Sequence, residues 1–406
     1  MAPLARALCA LAVLAAAAAQ AGPWDAKLIV HSDATAARFN ARCLDGSNGA
    51  MYYRPASTPS AATKWKFHFQ GGGWSTTPGQ LLSRSQGALG SSSQWTPWLS
   101  DNLSPHAGFY GAMSFNATRD NIIGEFNFVW FGYCDGTSQL SDLEEPLVVN
   151  GTTLHLRGRA ILDAHLAELD AQFDFTNTAT EVVVSGTSAG GLSTHLHAPL
   201  FAARLPRARV TALPDASWWW DSISYDGKSR PWLDSITPAL PLWNASLNPA
   251  NNPAAAACLA AHADEPVKCV TQPYMHAYST VPTFLSQSLY DTANLNYCFH
   301  MPCGLSGNAP GSCSPAEVAA IQAFAGDLRA SIEGALKPTD GYFFLSCAQH
   351  ETSCQVPDWF GVTAPSGATP NSTFAEWYAG AGPGRAADAP WPGGETCDYG
   401  ITHGFC

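Results

Sequence analysis

Apolar positions along the chain fall into two periods. Trp65 to Gln70 (WKFHFQ) alternates apolar and polar side chains and breaks at Gly71-Gly72-Gly73, the pattern of a strand ended by a turn. Phe126 to Phe131 (FNFVWF) is a short, nearly continuous apolar run closed by Gly132, as expected of a buried strand. Leu162, Leu166 and Leu169 stand at helical spacing, and that helix is expected to run out at Asn177. Val182 to Val184, Val210 to Leu213, Thr283 to Leu289 and Tyr342 to Leu345 read as further strands. Ser314-Pro315-Ala316-Glu317 opens a helix with a capping box, and Val318, Ile321, Ala325, Leu328 and Ile332 give it an apolar stripe. Strands and helices in alternation predict an α/β protein with a mostly parallel sheet covered by helices on both faces. Residues 222–280 are rich in Pro, Ala and Asn and carry no clear period; Asn248 to Ala257 reads as a loop. The region is expected to be a cap or insertion within a single domain spanning 22–406.

Composition narrows the class. Across 406 residues, 46% hydrophobic and 11% aromatic content is enough to fill a core. A net charge of -12 with no basic run argues against a nucleic-acid partner. The first 21 residues carry Arg6, an apolar run from Ala7 to Ala18, and Ala19-Gln20-Ala21. That is the layout of a secretory signal peptide over 1–21, too short to span a bilayer, and it predicts an extracellular protein. No later segment is apolar enough to form a membrane span.

A secretory route changes the reading of the 12 cysteines from metal ligands to disulfides. No CxxC pair and no His-x3-His partner suggests zinc. Cys258–Cys269, Cys347–Cys354 and Cys397–Cys406 are plausible short-loop pairs. Cys9 leaves with the signal peptide, so an odd number remains and at least one thiol is free or intermolecular. Asn-x-Ser/Thr sequons at Asn116, Asn150, Asn244 and Asn371, with a weaker one at Asn102, fit a glycosylated surface.

The candidate chemistry lies where strands end. Gly186-Thr187-Ser188-Ala189-Gly190 is a GxSxG between an apolar strand and a helix-like run, the context of a nucleophile elbow. A glycine-rich turn with an incidental serine is the plainer alternative. A serine nucleophile needs a base, and the base an orienting acid. Asp291 follows one predicted strand (SLYD) and His350 another (FFLSCAQH), in the order Ser, Asp, His. Asp291 could also be a helix cap and His350 a loop residue. The N–H groups of Gly73 and Trp74, with that of Ala189, would serve an oxyanion hole. His195 and His197 read as packing or solvent-facing residues on the helix behind Ser188. His68 lies on a strand, and His403 is the rival base.

These pieces together resemble the pectin acetylesterase family, which includes the Notum-type carboxylesterases. The matching stretches are CLDGS (Cys43 to Ser47), FQGGGW (Phe69 to Trp74), YCDG (Tyr133 to Gly136), LHLRGRAI (Leu154 to Ile161), SGTSAGGLSTHLH (Ser185 to His197), LPDAS (Leu213 to Ser217), SLYD (Ser288 to Asp291) and SCAQH (Ser346 to His350). The resemblance implies an α/β-hydrolase-like fold and a cofactor-free serine esterase. It places the nucleophile on Ser188, the acid on Asp291, the base on His350, and the oxyanion donors on Gly73, Trp74 and Ala189. The expected substrate is an O-acetylated, pectin-like polysaccharide. The alternatives are a Notum-like esterase acting on a fatty acyl group of a protein or lipid, and a non-catalytic carbohydrate-binding protein. The chain departs from the plant-like pattern at Gln70 and Ser75, where that pattern has Glu and Cys. It also has Trp218-Trp219-Trp220 in place of a milder aromatic stretch, a run suited to lining an acyl or sugar pocket, or to core packing.

Overall fold

The structure is a computed structural model and describes residues 25–100, 111–114, 121–245, 252–305, 309–353 and 356–392. Its strands are β1 (Asp25–Val30), β2 (Ala50–Arg54), β3 (Lys64–Phe69), β4 (Trp98–Ser100), β5 (Asn127–Phe131), β6 (Leu147–Val149), β7 (Thr152–Leu154), β8 (Glu181–Thr187), β9 (Arg209–Asp215), β10 (Phe284–Ser288), β11 (Gly341–Leu345) and β12 (Arg385–Ala387). A 10-stranded sheet runs in the order β12-β11-β10-β9-β8-β3-β5-β2-β1-β4, and β6 and β7 form a separate hairpin. From β12 through to β5 all neighbours are parallel. β2, β1 and β4 extend the sheet antiparallel. This is the mostly parallel α/β sheet that the alternation of periods predicts, in the α/β-hydrolase-like form that the family resemblance implies.

The central strands are apolar on both sides because both faces are covered. Val182 and Val184 point to one face, with Phe67, Phe131, Leu162, Leu166 and Phe201. Val183 points to the other, with Phe128, Trp130, Phe343, Trp359 and Phe374. Helices Gly158–Phe173 and Ala189–Arg204 cover the first face; helices Val356–Gly361 and Pro370–Tyr378 cover the second.

Several boundaries differ from the sequence reading for local reasons. The helix expected to reach Asn177 stops at Phe173, because Asp174 adopts a left-handed conformation (φ 51°), and a separate turn of helix covers Phe175–Thr178. The loop expected over Asn248 to Ala257 is helical from Pro253 to Ala261. There the Asn252 side chain accepts from Ala255 N at 3.1 Å, and an alanine run follows, so a cap and intrinsic propensity suffice without an apolar stripe. The capping box at Ser314 and Glu317 is present.

Disulfides join Cys43 to Cys134, Cys258 to Cys269 and Cys303 to Cys313. Cys347 is disulfide-bonded as well; Cys354, Cys397 and Cys406 lie outside the described residues. Cys298 is a free, buried thiol whose pKa burial pushes up to about 12. Of the sequons, Asn150 is exposed on the β6–β7 turn, and Asn244 is exposed with its amide donating to Asp142 O. Asn371 is buried and accepts from Trp359 Nε1 at 3.1 Å, so it does not belong to the glycosylatable surface. Asn102, Asn116 and the 1–21 segment lie outside the described residues. No helix among the described residues is long and apolar enough to cross a membrane.

Candidate active site

Ser188 stands between β8 and helix Ala189–Arg204, with φ 55° and ψ -120°. A non-glycine residue at positive φ is strained, and the surroundings must hold it there. They do so by close approach. Ser188 N donates to Asp215 O at 3.0 Å, tying the turn to the end of β9. Gly190 lets the helix lie directly on the end of β3: a Cβ there would stand 1.9 Å from Phe69 O. GxSxG is therefore a packing requirement here, and it leaves Ser188 at the helix N-terminus, where developing negative charge is favoured.

Asp291 and His350 follow β10 and β11, the strands parallel to β9 at the same sheet edge. His350 Nδ1 lies 2.9 Å from both carboxylate oxygens of Asp291. With Nδ1–H donating there, Nε2 is the basic nitrogen of the neutral ring. The two roles weighed for Asp291 coexist: its Oδ1 also accepts from Ala293 N at 2.7 Å and Asn294 N at 3.1 Å, capping the turn that follows. Gln287 Nε2 donates to its other oxygen at 3.2 Å. Burial would lower the His350 pKa, but Asp291, then Glu351 and Asp215, outweigh it and hold the imidazole at about 9.

The loop bearing His350 hangs from Asp215. This buried carboxylate accepts from Thr352 N (2.8 Å), Thr352 Oγ1 (2.9 Å) and Ser353 N (2.8 Å), while its own carbonyl holds Ser188 N. Burial raises the Asp215 pKa, and these donors oppose the rise. A Cβ on Gly71 would lie 2.9 Å from Glu351 Oε1 and 3.2 Å from Ser188 Cβ, so the two loops and Ser188 share one spot that only glycine fits. Asp291 and His350 are thus directly bonded. Ser188 is brought to them through Asp215, Gly71 and Trp219, without a hydrogen bond from its Oγ to His350 among the described residues. Such bonds are commonly loose in a free enzyme.

The glycine loop after β3 is clamped along its length. Gly73 has φ 65°, a conformation that favours glycine. Arg84 donates through Nη2 to Gly72 O and through Nε to Ser75 Oγ, both at 2.8 Å. Tyr133 Oη donates to Gly73 O at 2.8 Å, Trp74 Nε1 to Ser138 Oγ at 2.8 Å, and Trp243 Nε1 to Ser75 O at 2.8 Å. Gln70 Oε1 accepts from Tyr133 N at 2.9 Å. Gln70 and Ser75, the two departures from the plant-like pattern, are thus both engaged. Among the described residues, none accepts a hydrogen bond from the N–H of Gly73 or Trp74.

The tryptophan run does not form a wall of open aromatic faces. Trp218 is fully buried with Leu285, Leu328, Ile332 and Phe344. Trp220 is half-buried against Phe324. Trp219 is buried yet borders the site: its Nε1 is 3.5 Å from Ser188 O, its ring lies 6.2 Å from that of His350, and Trp74 and Trp232 pack on it. Trp218 and Trp219 thus enter different clusters, and Trp220 packs on both. His195 and His197 are both buried, and burial lowers their pKa values. His68 pairs with Ser185 Oγ inside the sheet, and His403 lies outside the described residues. Arg84 lies outside every motif read from the sequence, and Tyr133 and Asp215 stand within YCDG and LPDAS without a role assigned to them.

The family model described as pectinacetylesterase matches residues 24–398. Pectin acetylesterase 5 of Arabidopsis thaliana is 26% identical over 369 residues, covering 87% of this chain and 81% of that protein. The palmitoleoyl-protein carboxylesterase NOTUM of Schmidtea mediterranea is 26% identical over 267 residues, 63% of this chain and 47% of that protein. Among solved structures, the Wnt deacylase Notum from Drosophila superposes with a TM-score of 0.74 at 19% identity, covering 92% of this chain and 100% of that one, and so shares its fold.

Proposed function

The chain belongs to the pectinacetylesterase family and is a carboxylic ester hydrolase, and we propose that it is a secreted serine esterase that removes O-acetyl groups from a pectin-like polysaccharide. The observation that carries the mechanism is the hydrogen-bonded Asp291–His350 pair at the sheet edge where strained Ser188 opens a helix. Ser188 Oγ attacks the ester carbonyl as His350 Nε2 takes its proton. Asp291 fixes the tautomer and stabilises the imidazolium. The N–H groups of Gly73, Trp74 and Ala189 receive the oxyanion, each donor being worth about 10²–10³ in turnover at sites of this kind. His350 then protonates the sugar oxygen as the ester C–O bond breaks, and water, giving its proton to His350, attacks the acyl group and releases acetate from Ser188, whose oxygen takes that proton back. Residues 222–280 are read as a cap or insertion of the same domain; helices Pro231–Ile236, Ala239–Trp243, Pro253–Ala261 and Gln272–His276 lie within it. The disulfides and the 1–21 segment support secretion.

The test is acetate release from acetylated pectin by wild type and Ser188→Ala, with fluorophosphonate labelling of both. Turnover and labelling in wild type alone are expected; a folded wild type that neither turns over nor labels sinks the reading and favours a binding protein. A second reading, removal of a fatty acyl group, draws on the likeness to the planarian carboxylesterase. Rates on p-nitrophenyl acetate falling through butyrate to palmitate support the acetyl reading; the reverse order supports the fatty one.

A further inference from the structure

The peptide groups assigned to the oxyanion share a feature on their far sides. The peptide that presents Gly73 N–H ends in Gly72 O, which accepts from the Arg84 guanidinium at 2.8 Å. The peptide that presents Trp74 N–H ends in Gly73 O, which accepts from the Tyr133 hydroxyl at 2.8 Å. The peptide that presents Ala189 N–H ends in Ser188 O, which accepts from Leu192 N at 3.1 Å and faces Trp219 Nε1 at 3.5 Å. A donor on an amide oxygen draws electron density toward it and leaves the N–H of the same amide a better donor. Linked hydrogen bonds strengthen one another in this way, and a charged donor does so most.

Arg84 is placed for that effect. It spans Gly72 O and Ser75 Oγ, so its fork grips the loop on both sides of the Gly73–Trp74 pair, and it lies 5.4 Å over the Tyr133 ring. The ion pairs of the described arginines fall on Arg157, Arg159, Arg204, Arg230 and Arg329; Arg84 is not among them. Its charge also reaches buried Asp135, whose carboxylate is occupied by Thr137 and Gln139. The partner of Arg84 Nε is Ser75, where the plant-like pattern carries a cysteine.

We propose that Arg84, assisted by Tyr133, is a positioning residue for catalysis: it pins the 72–75 loop and polarises the Gly72–Gly73 peptide toward the oxyanion. The proposal rests on the serine-esterase reading. An interaction felt mainly in the transition state lowers kcat and leaves KM in place. On p-nitrophenyl acetate, Arg84→Ala is expected to lose about 10–100-fold in kcat, somewhat less than removal of an oxyanion donor itself, with KM held within about twofold. Tyr133→Phe is expected to lose about 3–10-fold, as one neutral hydrogen bond. Guanidinium chloride should restore part of the Arg84→Ala rate and none of the Ser188→Ala rate. A folded Arg84→Ala with wild-type kcat, or one whose loss lies wholly in KM, overturns the proposal. If Arg84→Ala does not fold, Arg84→Lys keeps the charge without the fork: reduced kcat at unchanged KM supports the proposal, and wild-type kcat overturns it. A wild type that neither labels nor turns over fails earlier, sinking the esterase reading and this proposal with it.

Discussion

The glycine loop of residues 70–75 and the histidine loop of residues 346–353 meet at Ser188, and they are held from behind by opposite chemistry. The first is gripped by its carbonyl oxygens: Arg84 on Gly72, Tyr133 on Gly73, Trp243 on Ser75. The second is gripped by its N–H groups: both Thr352 N and Ser353 N donate to Asp215. The donors stand where a substrate oxygen would become negative. The carboxylates of Asp215, Glu351 and Asp291 stand where His350 would become positive. In this arrangement the groups that shape each loop also bias its electrostatics toward the charge expected there.

The largest expected effect breaks the negative side at its contact with the base. Asp291→Asn replaces an acceptor of Nδ1–H with an amide whose NH₂ can hold the ring in the wrong tautomer. A kcat loss of about 10³–10⁴ is expected at neutral pH, measured on p-nitrophenyl acetate with KM held. Full activity in a folded Asp291→Asn would remove Asp291 from the relay and leave the comparison without its negative half.

Asp215→Asn acts one step further back. Both N–H groups share Oδ2 and the Thr352 hydroxyl meets Oδ1, so an amide keeps one oxygen for the N–H pair and turns that hydroxyl from donor to acceptor. Hydrogen bonds to a charged acceptor are stronger than those to a neutral one by about 1 kcal/mol, so a lower Tm is expected by calorimetry. The His350 loop should then lose registration, with about 10–100-fold lower kcat, since small misplacements of catalytic groups carry costs of that order. Thr352→Val removes only the hydroxyl contacts to Asp215 and Ser286 and should fall between wild type and Asp215→Asn. If both variants match wild type in Tm and kcat, Asp215 is not what holds the loop.

The two halves of the site were unequally legible in the sequence. Ser188, Asp291 and His350 each follow a strand that reads plainly, and a parallel sheet gathers such positions at one edge. The groups behind the loops were hidden because their roles arise across the fold. Arg84 closes helix Pro78–Arg84 and looks in sequence like an ordinary basic residue in a last turn. Asp215 ends β9 within LPDAS, but nothing local says that its carboxylate reaches Thr352, 137 positions away. Trp218 to Trp220 read as a pocket lining or as core packing, and the fold divides them: Trp218 and Trp219 enter separate clusters and Trp220 packs on both. β1 and β2 form the antiparallel extension: half-exposed β1 (DAKLIV) carries a weak pattern, and β2 (AMYYR), though mostly buried, is a five-residue run without apolar–polar alternation.

The smallest effect expected is a shift in pH rather than a loss of rate. Burial alone would lower the His350 pKa, and Asp291, Glu351 and Asp215 together bring it to about 9. The base must be neutral to accept the Ser188 proton, so kcat/KM should rise with pH through that value and level off above it. Glu351→Gln removes one carboxylate that favours the charged ring, so the rising limb should move toward acid while the plateau changes little. Stability should follow the opposite sign. Because His350 binds its proton more tightly folded than unfolded, its contribution is fully present below 6.5, the unperturbed value, and is lost as pH climbs through about 9. Denaturant titrations across that window should show a smaller loss in Glu351→Gln than in wild type. Arg84→Lys, on the donor side, should leave the midpoint of the limb in place while lowering its plateau. A Glu351→Gln limb that stays fixed, or an Arg84→Lys limb that moves as far as that of Glu351→Gln, would mean that the two loops do not divide the charges between them.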